Sequence, residues 1–229
     1  MSGLTVPNQM LPDKSLPGVG ADGKTIKTIH IKDEFAYSYL ILVFFRIGTK
    51  EDAEEVLKFS DHLKDFDEAG CKILGVTSES PLSVIRFMEK DVESGGYNRK
   101  LGFPIVSDKD LSLSMELGVA KKSGLPSWST LIVDSSSKLR FSAIHRVFIK
   151  TNIPEILRLV SAYKLVDAKE VNTDPTWKPG NEDSLIPRDF QAKQLWYGKH
   201  YGETNSDSMP KEQVKTAQEQ GGIDNVKAV

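Results

Sequence analysis

Cysteine is nearly absent from this chain: Cys71 is the one thiol in 229 residues. An internal disulfide framework is therefore excluded, and a lone thiol fits a reducing compartment, so the cytoplasm is the expected location. No apolar run approaches the roughly 20 residues that cross a bilayer. Residues 1–13 carry neither the basic nor the apolar segment of a secretion signal. There is no basic run and no basic–aromatic stripe; the net charge is −2 and the lysines are interleaved with acids. Neither nucleic acid nor a membrane is expected as a partner. His30, His62, His145 and His200 stand far apart and lack the spacing of a metal site. Gly18-Val19-Gly20 is not set in the strand-to-helix step that a nucleotide loop needs. No metal or cofactor is expected.

What the chain does have is a soluble composition, 39% apolar and 27% charged, and enough length for a full core. Its centre is the run Tyr39-Leu40-Ile41-Leu42-Val43-Phe44-Phe45. Unbroken apolar residues of aromatic and branched type predict a strand buried on both faces of a parallel sheet. After the loop Arg46-Ile47-Gly48, apolar residues recur at helical spacing at Ala53, Val56, Leu57, Leu63 and Phe66, and Gly70 stands where that helix would stop. Thr49 and Asp52 make a capping pattern at its start. A strand, a loop and a helix N-terminus create a site where backbone N–H groups converge, and chemistry is sought there first.

Residues 1–20, with Pro7, Pro12 and Pro17, predict an extended lead-in, and Ala21 to Lys24 a turn. Strands are expected at Thr25–Ile31, Cys71–Thr77, Phe103–Val106, Trp128–Asp134 and Leu139–Phe148, the last two forming a hairpin across Ser135–Lys138. Helices are expected from Pro81, over Lys109–Val119 and over Ile153–Tyr163. This alternation predicts an α/β fold, a thioredoxin-like arrangement of three layers on a mixed sheet, occupying residues 21–165. Residues 166–203 read as a polar C-terminal arm without a core of its own, with Trp177 and Trp196-Tyr197 packing on a partner subunit. Residues 204–229 read as a disordered tail.

The order of these elements and several local strings resemble the typical 2-Cys peroxiredoxins of the AhpC/TSA family. The strings are Phe44-Phe45, Phe59-Ser60-Asp61, Gly70 to Val76, Gly95-Gly96, Pro104 to Asp108, Leu131 to Asp134 and Trp177-Lys178-Pro179-Gly180. The resemblance implies a peroxidatic cysteine in the first turn of the central helix, an arginine from a later strand beside it, a nearby threonine and proline, and a resolving cysteine before the tryptophan-lysine-proline-glycine string. In this chain the threonine position is Thr49, the peroxidatic position Asp52 and the arginine position Trp128; the proline is missing, and the resolving position falls near Asn172. The resemblance also implies a homodimer through a sheet edge and the C-terminal arm, and a ring of such dimers.

An aspartate would be charged at neutral pH but cannot become the sulfenic acid that turns a peroxidatic cycle. Asp52 is read as a capping residue, and also as a permanent mimic of the thiolate that keeps the helix start folded. Trp128 either fills the arginine's volume and closes the pocket or lines a new apolar one. Cys71 is read as core, with a thiol-redox role open beside it. The first expectation is thus a catalytically silent peroxiredoxin-like protein: an oligomeric scaffold, chaperone-like or partner-binding module. The alternatives are a thiol-dependent antioxidant peroxidase using Cys71 with an external thiol reductant, and a small-ligand binder between Thr49, Asp52 and Trp128.

Overall fold

The computed structural model describes residues 8–35, 38–120, 127–145 and 149–202. The expected tail and the end of the second hairpin strand lie outside them. The chain divides into two compact units, Met1–Lys164 and Leu165–Val229.

In the first unit the elements run β1 Ser15–Val19, β2 Ile26–His30, α1 Ile31–Glu34, β3 Tyr39–Phe44, α2 Lys50–Asp61, α3 Leu63–Glu68 and β4 Cys71–Thr77. They continue with α4 Pro81–Glu89, β5 Ile105–Ser107, α5 Ser112–Glu116, β6 Trp128–Val133 and β7 Leu139–His145, and α6 Ile153–Ala168 crosses from this unit into the second. Seven strands form one sheet in the order β2-β1-β5-β4-β3-β6-β7. The β3–β4 and β4–β5 pairs are parallel and the rest antiparallel, so the sheet is mixed, as expected.

All six residues of β3 are buried, and the pleat divides them between two cores. Tyr39, Ile41 and Val43 face the layer of α2, α3, α4 and α6, with Val56, Phe66, Val84 and Val160 among their neighbours. Leu40, Leu42 and Phe44 face the other layer, with Ile31, Leu113 and Leu117. That two-sided burial accounts for an apolar run without alternation. Among the described residues no helix is long and apolar enough to cross a membrane.

Four expectations need correction. The extended lead-in is part of the sheet rather than a segment before it: Ser15–Val19 forms β1, which lies between β2 and β5. Pro17 is tolerated there because β5 pairs only with Gly18 and Val19. The central helix is not continuous to Gly70. It breaks at His62 (φ −101°, ψ 16°), after which α3 begins, and Phe66 stacks on Phe59 at 6.0 Å. The helix expected over Lys109–Val119 is confined to Ser112–Glu116, while the helix expected over Ile153–Tyr163 runs on to Ala168.

The described part of the expected arm, residues 166–202, has secondary structure of its own. It contains an antiparallel pair, β8 Val171–Thr173 with β9 Leu185–Pro187, followed by α7 Phe190–Tyr201. Asp189 caps α7 by accepting from the Ala192 N–H at 2.8 Å. Trp177 is buried within the chain itself rather than presented to a partner. Trp196 donates its indole N–H to the Asp183 carbonyl at 3.1 Å and stacks on His200 at 4.0 Å.

Candidate functional site

Parallel pairing of β3 with β4 brings the chain out of the sheet at Phe45, whose N–H still bonds the Val76 carbonyl at 3.0 Å. The loop Arg46–Thr49 then turns into α2. Thr49 is extended (φ −112°, ψ 155°), and its hydroxyl accepts from the Asp52 N–H at 3.1 Å. Half of the expected capping box is therefore present.

The other half is replaced. The Asp52 carboxylate turns inward and accepts a hydrogen bond from the Trp128 indole N–H at 2.6 Å. Trp128 opens β6, whose register sets Ser129 opposite Phe44, so the indole comes to rest against Phe45 at 6.0 Å. Both partners are 3% exposed. A charged acceptor with a short, buried donor is the strong kind of hydrogen bond, and the α2 N-terminus adds a favourable field for the carboxylate.

Tyr97 completes the surroundings. It follows Gly95-Gly96, a pair that works by close approach: a Cβ on Gly95, at φ +81°, would sit 2.7 Å from the Gly48 carbonyl oxygen. Gly95 thus lies against the loop that precedes α2, and Gly96 against the backbone of Lys90. The Tyr97 hydroxyl is buried without a hydrogen-bond partner among the described residues. Burial pushes its ionisation far up, and the Asp52 carboxylate adds to the push. Neither Tyr97 nor Glu55, a second buried acid on α2, was singled out in the sequence; the adjacent glycine pair was the only pointer to Tyr97.

The structure therefore brings Thr49, Asp52 and Trp128 together, and leaves two other candidates elsewhere. Cys71 lies at the opposite end of the sheet, beside Tyr39 rather than Phe44. At ~3.3 Å per residue, the span from Cys71 to Val76 along β4 is roughly 17 Å. Burial pushes the Cys71 thiol up from its ordinary 9.0 to about 11, against a smaller opposing pull from Lys164. A thiol in that setting is the opposite of an activated one. Asn172 lies in β8, exposed, its side-chain oxygen accepting from Arg188 Nε at 3.3 Å.

His30 and His62 make local contacts. His30 bridges Asp13 at 3.0 Å and Asp33 at 2.9 Å, and His62 meets Asp65 at 2.6 Å. Among the described residues no group of three or more His, Cys, Asp or Glu side chains is placed to hold a metal.

Residues 7–142 match the model of the AhpC/TSA family. Rat peroxiredoxin-2 is 28% identical over 191 residues, which span 82% of this chain and 94% of that protein. The mitochondrial thioredoxin-dependent peroxide reductase of Drosophila melanogaster is 25% identical over 191 residues, 82% of this chain and 81% of that one. Among solved structures, the reduced 2-Cys peroxiredoxin of Plasmodium vivax superposes with a TM-score of 0.70 over 78% of this chain and 91% of that one, at 17% identity. The fold is the thioredoxin-like one of the peroxiredoxins.

Proposed function

This chain belongs to the AhpC/TSA family, and on that premise we propose that it is a member without cysteine-based peroxidase chemistry, serving as a homo-oligomeric scaffold that holds protein partners. The observation that carries this reading is the buried bond between Asp52 and the Trp128 indole. It stands where the resemblance places a reactive sulfur and its arginine. Reduction of a peroxide by this route needs sulfur to attack the O–O bond and to survive as a sulfenic acid. A carboxylate does neither, and this one is shielded by Trp128.

The alternatives find less support. A Cys71-dependent peroxidase would use a buried thiol held at about 11, far from the helix N-terminus that could lower it. A ligand between Thr49, Asp52 and Trp128 would have to displace a hydrogen bond between two residues that are each 3% exposed.

Assembly is supported by surfaces that single chains rarely leave bare. β7 is an outer strand of the sheet, with Ile144 53% exposed. On α7, Phe190, Leu195 and Tyr201 are each more than half exposed. Pairing through the sheet edge and the C-terminal arm, into a dimer and then a ring of dimers, would cover both. The cytoplasm remains the proposed location on the strength of the single thiol.

The test is peroxide consumption with thioredoxin and its reductase, alongside light scattering on the same sample. The expected result is consumption equal to the protein-free control, unchanged by Cys71→Ser, and a mass that is a multiple of 25.4 kDa. Turnover abolished by Cys71→Ser would overthrow the silent-site reading. A 25.4 kDa monomer would overthrow the scaffold reading.

A further inference from the structure

The second acid on the buried face of α2 makes a different set of contacts. Glu55 is 6% exposed and lies about one turn after Asp52. One of its oxygens accepts from the Thr151 backbone N–H at 2.9 Å and from the Thr151 hydroxyl at 2.7 Å. The other lies 3.4 Å from the Lys150 ammonium. Lys150 also donates to the backbone carbonyl of Glu51, in the first turn, at 2.7 Å. On the sheet side, the Thr151 hydroxyl lies 3.5 Å from that of Thr130 in β6.

Two consecutive residues of the connection between β7 and α6 thus grip α2 at two levels, its first-turn backbone and its second-turn carboxylate. An exposed lysine–carboxylate pair contributes little to stability. This one differs because the Glu55 side chain is 5% exposed and is held by three groups at once.

From these contacts we infer that Lys150–Thr151 is a strap holding the first two turns of α2, and that Glu55 is the positioning residue to which it fastens. The strap forms one wall of a hollow of ≈ 540 Å³ whose floor is Leu57, Phe59 and Ile153. Three of the other charges around the hollow, Lys58, Asp61 and Arg99, are engaged with one another. Arg99 bonds Asp61 at 2.5 Å and the Leu57 carbonyl at 3.2 Å, and Lys58 lies 3.5 Å from Asp61. Lys150 is the cation that meets Glu55, and its side chain is 42% exposed while the carboxylate it grips is buried. The latch can therefore be reached from solvent, and releasing it loosens the helix start and one wall of the hollow together.

Hydrogen–deuterium exchange on the full-length chain tests this. Lys150→Met keeps the aliphatic stem and removes the ammonium. Amides of residues 50–55 are expected to exchange about tenfold faster, with those of β4, residues 71–77, unchanged. Glu55→Gln leaves an oxygen for Thr151 but loses the charge that draws Lys150, and should accelerate the same stretch selectively. Unchanged exchange at residues 50–55 in Lys150→Met would overturn the strap. So would an equal acceleration in β4, which would mean a general loss of stability. Because the readout is exchange and not turnover or mass, the strap stands or falls separately from the scaffold reading.

Discussion

Trp128→Phe is expected to destabilise the chain by about 3 kcal/mol, although an aromatic ring remains in the core. The substitution removes the indole N–H and leaves the Asp52 carboxylate buried without the donor it meets at 2.6 Å. Breaking a buried charged hydrogen bond from one side costs more than deleting both partners, since the remaining group has lost both water and its partner. For a chain of this size the melting temperature should fall by about 6–12 °C. The sign of a second substitution separates this cause from a simple packing loss. Asp52→Leu in the Trp128→Phe background removes the stranded charge and should recover part of the stability. Packing loss alone would make the double variant worse than the single one. Thermal melts of the three proteins decide between them.

The other large effect is at Gly18. A Cβ there would lie 2.5 Å from the Ile105 carbonyl oxygen and 2.7 Å from Ile29 Cδ1. The nearest obstacle is the backbone of the neighbouring strand, which cannot rotate aside, so β1 and β5 would have to separate. Gly18→Ala should therefore cost about 3 kcal/mol. The same substitution at Gly198 should have the opposite sign. That glycine lies inside α7 with no atom of the described residues within 4 Å of where a Cβ would stand, and alanine is favoured over glycine in a helix interior by roughly 0.5–1 kcal/mol. Equal effects at the two sites would show that close approach of β1 to β5 is not what Gly18 serves.

Much of the fold was legible because its strongest elements are buried on two sides or capped locally. The run from Tyr39 to Phe45 could hardly be anything but a central strand, and Thr49 announced the helix that follows. β1 was hidden because Pro17 and Gly18 interrupt the pattern that would mark it. Its place in the sheet depends on pairing with β5, distant in sequence. The small sheet of the second unit was hidden for a related reason: its strands have three residues each and carry no apolar alternation. At the site, Thr49, Asp52 and Trp128 were each visible through the family resemblance. The bond between the last two was not, since 76 residues separate them and no spacing rule links a helix start to a strand start. Glu55 looked like one more surface acid in a charged helix, and only the fold turns it inward to Thr151.

The account rests on a closed first turn in α2, with Asp52 held by Trp128. The most direct measurement is the exchange rate of the Trp128 indole N–H, read by NMR in indole-labelled protein and assigned with Trp128→Phe. The expected result is a resonance protected to the level of core amides and lost from its position in Asp52→Ala. An indole that exchanges at the rate of a solvent-exposed one, or is unmoved by Asp52→Ala, would contradict it.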